Sequence, residues 1–220
     1  MRRIDAPCYA RPLRLLPAAL LALLWAVPAA VSAQDLEPAW QADAAALPHA
    51  QRAHLWRVAA WGTANVALGA SLLAASSRDD RPARHGFGVQ SAAWGAINVG
   101  IAAVGLSGGL GDPSASLAAA IRAENAYADV LLLNLGLNVG YAGVGAALVT
   151  VGHRAGIESP GTRGALRGHG WALVLQGAGL FVLDGIAWLD GRGRLGRLLD
   201  GIETVALAPG IDRIGLVVLF

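Results

Sequence analysis

The sequence predicts an all-α, polytopic membrane four-helix bundle, and three observations predict it. Apolar residues make up 55 % of the 220 and charged residues only 15 %, well below the roughly 25 % charged share of an ordinary soluble domain. Four long runs rich in Ala, Val, Leu and Gly recur along the chain without the polar stripe that a soluble bundle would show every three to four residues. Two of these runs also carry the same phrase, Trp61-Gly-Thr-Ala-Asn65 and Trp94-Gly-Ala-Ile-Asn98, and a third run echoes it at Asn134-Leu-Gly-Leu-Asn138.

The chain opens with the three parts of a secretory signal. Arg2, Arg3, Arg11 and Arg14 precede an apolar stretch from Leu15 to about Val31, and Val31-Ser32-Ala33 offers small residues for cleavage. A signal peptide is therefore expected over residues 1–33, with an uncleaved anchor as the alternative. The net charge of +2 comes from this leader. Without it 13 Arg face 14 acids, so charge offers no case for nucleic acid. The single cysteine, Cys8, also lies in the leader, which leaves no disulfide, thiolate metal site or cysteine nucleophile for the rest.

Residues 34–56 are expected as a short extracytoplasmic segment along the membrane surface, with Trp56 in the interface belt. The transmembrane domain is expected over 57–189. Its spans are 57–75, 90–106, 129–151 and 169–189, lengths suited to a hydrocarbon core of about 30 Å. Residues 117–128 read as a more polar helical stretch before the third span. Arg78, Arg81, Arg84, Arg154, Arg163 and Arg167 sit in the first and third loops, against Arg122 alone after the second. With the leader, this places the mature N-terminus outside a bacterial cytoplasmic membrane. The tail, 190–220, runs against that rule with Arg192, Arg194, Arg197 and Arg213. It reads as an interfacial stretch followed by a small hairpin around Pro209-Gly210. The long unalternating runs exclude a β-barrel.

Each span carries side-chain amides on a glycine face. Gly62, Asn65 and Gly69 align at helical spacing, as do Gly95 and Asn98. Asn134 and Asn138 align in the third span, with Gly136 and Gly140 as a small-xxx-small pair on another face. Gly177 and Asp184 align in the fourth, with Gln176 beside them. At about 1.5 Å per residue, Asn65, Asn98 and Asn138 fall together near the midplane. Asn134 and Asp184 fall together nearer the outer end, and Gln176 lies deeper. Two readings follow. The amides bond across helices while the glycines close the packing, or the amides line a polar cavity for a solute or lipid. Asp184, an ionisable residue within a span, is the leading functional candidate, with Asn134 as its expected partner.

Catalytic signatures are absent. His49, His54, His85, His153 and His169 show no metal-binding spacing, so no metal or cofactor is expected. Gly191-Arg-Gly-Arg-Leu-Gly196 matches a dinucleotide fingerprint only in letters, since it follows an apolar helix instead of a strand.

Together, Trp61-Gly-x-x-Asn65, Trp94-Gly-x-x-Asn98-Val, Leu133-Asn134-x-Gly-Leu-Asn138-Val-Gly and Leu175-Gln176-Gly-Ala with Asp184 resemble an uncharacterised bacterial four-span membrane-protein family, a domain of unknown function. The resemblance covers roughly residues 50–215 and implies the architecture without any activity, cofactor or catalytic residue. Members of that family carry a Phe-His-Gln-Met-Asn-like run before the second span. Here the place is taken by Arg84-His85-Gly-Phe-Gly-Val-Gln-Ser, a departure that gives that loop no inherited role. Two functions stand at this point. One is a non-enzymatic scaffold working through helix association, with a second copy or another membrane protein as partner. The other is a carrier or binder of a small solute or lipid.

Overall fold

A computed structural model describes residues 40–111 and 113–206, with backbone alone for 201–206. It consists of four helices: α1 (Trp40–Ala74), α2 (Pro82–Ser107), α3 (Leu117–Gly152) and α4 (Pro160–Ala206). No strand occurs among the described residues. The expected leader and most of the expected hairpin lie outside them. The first residues of that hairpin, 203–206, continue α4 as helix.

The helices are longer than the sequence suggests. Residues 40–56, expected as a separate segment, form the first half of α1 in one helix with 57–74, even though Pro48 forgoes one backbone bond within it. Residues 117–128 run unbroken into α3, where Ser116 caps the start by accepting from the amide of Ala119. Residues 190–202, expected as part of a separate tail, continue α4 as helix. At about 1.5 Å per residue α2 measures about 39 Å, whereas α3 reaches about 54 Å and α4 about 70 Å. Three helices therefore project past the end of α2. There Ala44, Ala120 and Leu198 form a small core under Trp40, Leu117 and Ile121. Glu124 and Arg194 pair within this projection, and Asp43 meets Arg197 at its surface.

α2, α3 and the 160–200 part of α4 are long and apolar enough to cross a membrane. α1 falls short of that standard because Arg57 confines its apolar run to residues 58–74. The outer surface of the bundle is itself apolar. Ile101, Val104, Leu133, Val139, Val182 and Leu189 face outward, while the interior mixes Leu and Ala with buried Asn and Gln. That is the arrangement expected when the surroundings are apolar and close packing holds helices together.

α4 is the central helix, packed on all three others, and no Cα pair of α2 and α3 comes within 8 Å. Glycines set the closest approaches. A Cβ added at Gly95 would stand 2.5 Å from the Gly62 carbonyl oxygen, and one at Gly62 would stand 2.7 Å from that of Gly95. Gly69 meets Gly88 and Ala92 one to two turns away on the same antiparallel seam. Gly145 and Gly170 join α3 to α4 in the same manner, and Gly177 lies against the carbonyl of Asn138. Gly136 and Gly140 do not behave as expected. Nothing lies within 4 Å of a Cβ at either position, because the face they share points out of the bundle.

Candidate functional site in the gap between α2 and α3

The repeated phrase builds the wall behind the site. Trp61 crosses from α1 to lay its indole on Gly179 of α4, where it donates from Nε1 to Gln176 Oε1 at 3.0 Å. Trp94, its counterpart on α2, reaches toward α3 and packs on Tyr141 with ring centroids 4.7 Å apart. Each phrase therefore uses Gly to close α1 on α2 and Trp to reach a further helix. The asparagines diverge. Asn98 Nδ2 donates to Gln176 Oε1 at 3.4 Å, whereas Asn65 turns back to the carbonyl of Trp61, 2.8 Å away in its own helix.

α2 and α3 are held apart beyond the Trp94–Tyr141 contact, and a cavity of about 380 Å³ opens there. Val130, Leu137 and Ile101 make its mouth apolar, and His54, Asn98, Asn134, Asn138 and Asp184 make its interior polar. Asp184 lies at the centre. Its Oδ1 is 3.0 Å from His54 Nε2, and its Oδ2 accepts from Asn138 Nδ2 at 2.7 Å. Asp184 is 4 % exposed and His54 6 %, so each carboxyl oxygen is satisfied without water, as a buried polar group requires.

The groups around this core are not satisfied. The His54 Nδ1 atom and the Tyr127 hydroxyl are buried with no partner among the described residues, and both residues line the cavity. The half-buried Asn134 lines it too, and its side chain makes no hydrogen bond among the described residues. Buried polar atoms of this kind are uncommon and call for an explanation. No Ser, Thr or Cys is among the lining residues, and no cluster of three metal-ligating side chains occurs among the described residues.

Of the expected polar cluster, Asn98, Asn134, Asn138 and Asp184 do meet at one cavity. Gln176 stands one layer behind it, level with Asn98 instead of deeper, and Asn65 is not part of it. The expected Asp184–Asn134 pair does not form. Asp184 meets Asn138, one turn further along α3, because α3 begins well before residue 129 and is shifted against α4 by that turn. His54 was assigned to a surface segment. Its signal was available in the spacing of His54, Val58, Gly62, Asn65 and Gly69, which continues the glycine face of α1 backward by two turns. The Glu124–Arg194 pair, with Arg194 Nε to Glu124 Oε1 at 2.6 Å, joins residues 70 apart and carried no local signal.

These features define a helical bundle of membrane type with a polar cavity set between two of its helices. The chain belongs to DUF6992, a family of unknown function whose pattern matches residues 57–185. The match takes in Asp184, Asn138 and both Trp-Gly-x-x-Asn phrases and begins just after His54. No curated protein and no solved structure matches the chain.

Proposed function

We propose that this protein is a non-enzymatic membrane protein that binds a lipid-like molecule, whose polar head enters between α2 and α3. The observation that carries the reading is the cavity itself. It opens between apolar helix faces and is lined within by His54, Tyr127 and Asp184 and by Asn134, a half-buried amide whose side chain makes no hydrogen bond among the described residues. An amphipathic guest would bond to Asn134 with its head and keep its tail among Ile101, Val130 and Leu137. α1 serves as the fourth span, carried through the bilayer on its glycine seam with α2. The loops bearing most of the Arg face the cytoplasm, and the α2–α3 loop faces outward. The tail weighs less against this orientation once Arg194 and Arg197 are paired with Glu124 and Asp43.

The test is mass spectrometry of small molecules that co-purify from native membranes with wild type and with Asn134→Leu. The Asn134 side chain makes no hydrogen bond among the described residues, so the variant should fold. A species retained by wild type and lost from the folded variant is the expected result, and identical profiles would refute the reading. The scaffold function rests on one observation, the open face of Gly136, Gly140 and Gly143 on α3. Crosslinking in native membranes tests it, and a strictly monomeric species without partners would count against it.

A further inference from the structure

At the end of the bundle opposite the projecting helices, α3 finishes at Gly152 and α4 starts at Pro160. Between them lies a second cavity of about 270 Å³, lined by Gly152, His153, Pro160, Arg163 and Arg167. No carboxylate lines it, and among the described residues neither Arg163 nor Arg167 makes an ion pair. The groove beside Arg78 and His85 differs, because Asp79 shares it.

The arginines are seated. Gly152 is buried, and a Cβ there would stand 2.7 Å from Arg167 Cγ and 2.9 Å from the Arg163 carbonyl oxygen. The missing side chain thus lets the stem of Arg167 lie against α3. Arg167 Nε donates to that same carbonyl at 3.4 Å, which draws its guanidinium back toward Arg163. Two like charges one turn apart repel, and the first turn of α4 adds its own partial positive charge. An anion resolves all three.

The residues that continue this face indicate the kind of anion. Arg163, Arg167, Trp171 and Leu175 follow at four-residue steps along α4. Trp171 is 55 % exposed and Leu175 38 %. The stripe passes from cations to an interfacial aromatic to hydrocarbon, the order of phosphate, interface and acyl chain in a phospholipid. A free phosphate would use only its first part.

We propose that the Arg163–Arg167 pocket binds the phosphate of an anionic phospholipid whose acyl chain lies along Trp171 and Leu175. This site is independent of the cavity between α2 and α3. The test is native mass spectrometry of the purified protein titrated with phosphatidylglycerol, comparing wild type, R163Q/R167Q and, as a control at an exposed cation of α3, R122Q. The double variant is expected to bind about tenfold more weakly, since it loses its charge-assisted hydrogen bonds to phosphate, and R122Q is expected to match wild type. If the double variant fails to fold, Arg163→Gln alone repeats the measurement, because the Arg163 side chain makes no hydrogen bond or ion pair among the described residues. Unchanged affinity in the folded variant overturns the site. Complete displacement of phosphatidylglycerol by millimolar inorganic phosphate overturns the lipid and leaves a free-anion site.

Discussion

Asp184 shows how much one residue inside an apolar bundle depends on its partners. Its two oxygens are held by His54 and Asn138, which come from α1 and α3, two helices that touch far less than either touches α4. Asp184→Leu leaves both partners buried and unpaired, and removing one member of a buried pair costs about 3–5 kcal/mol. Asp184→Asn keeps a hydrogen-bonding group in place and should lose only about 1–2 kcal/mol. Thermal unfolding in detergent will rank the two. Equal, small losses would mean that Asp184 is not engaged as described. The pair also shows what spacing alone can tell. That Asp184 sits in a polar layer follows from its place in an apolar run. That its partner is Asn138 and not Asn134 depends on a one-turn offset between α3 and α4, which no local pattern records.

At the scale of the helix, identical residues divide into two kinds. Gly62, Gly69, Gly95 and Gly177 carry neighbouring backbone, whereas Gly136 and Gly140 face open space. Gly95→Ala forces α1 from α2, because a Cβ at 2.5 Å from a carbonyl oxygen cannot be absorbed by a side-chain shift. The expected loss is about 1–3 kcal/mol, the usual toll of overpacking. Gly136→Ala should be neutral or slightly stabilising, since Ala is the better helix former by about 1 kcal/mol. The measurement is again thermal unfolding in detergent, and an equal loss from both would show that α3 packs on Gly136. Both glycines sit in similar small-residue patterns, so the sequence could nominate all six positions without separating them. Which face of α3 meets α4 is decided by the Gly145–Gly170 and Gly177–Asn138 contacts.

For the whole molecule, the main consequence of the fold is that three helices outrun the fourth. The projection of α1, α3 and α4 is fastened by Glu124 and Arg194, both buried. Arg194→Met alone strands Glu124 and is expected to cost about 3–5 kcal/mol. Pairing it with Glu124→Leu should restore most of that loss, because a buried ion pair can be replaced by apolar residues of similar size. A double variant as unstable as the single would show that the two side chains act independently. The same fold leaves α2 and α3 unpaired on one side, so the cavity is a product of helix order around α4 and not of any one helix.

By itself, the sequence determined the class of structure. Its scarcity of charge and its apolar runs called for helices in an apolar medium. Its amides marked the layer where polar groups would gather, and its glycines marked where backbones could close. These are local properties, carried by composition and by the 3.6-residue period. Only the tertiary structure decided which helices touch, how far each runs past the next, and which polar atoms remain without partners. Those outcomes depend on registers set by contacts such as Gly62–Gly95, Gly145–Gly170 and Trp61–Gln176. Each joins residues 25 or more positions apart and exists only once the helices have packed.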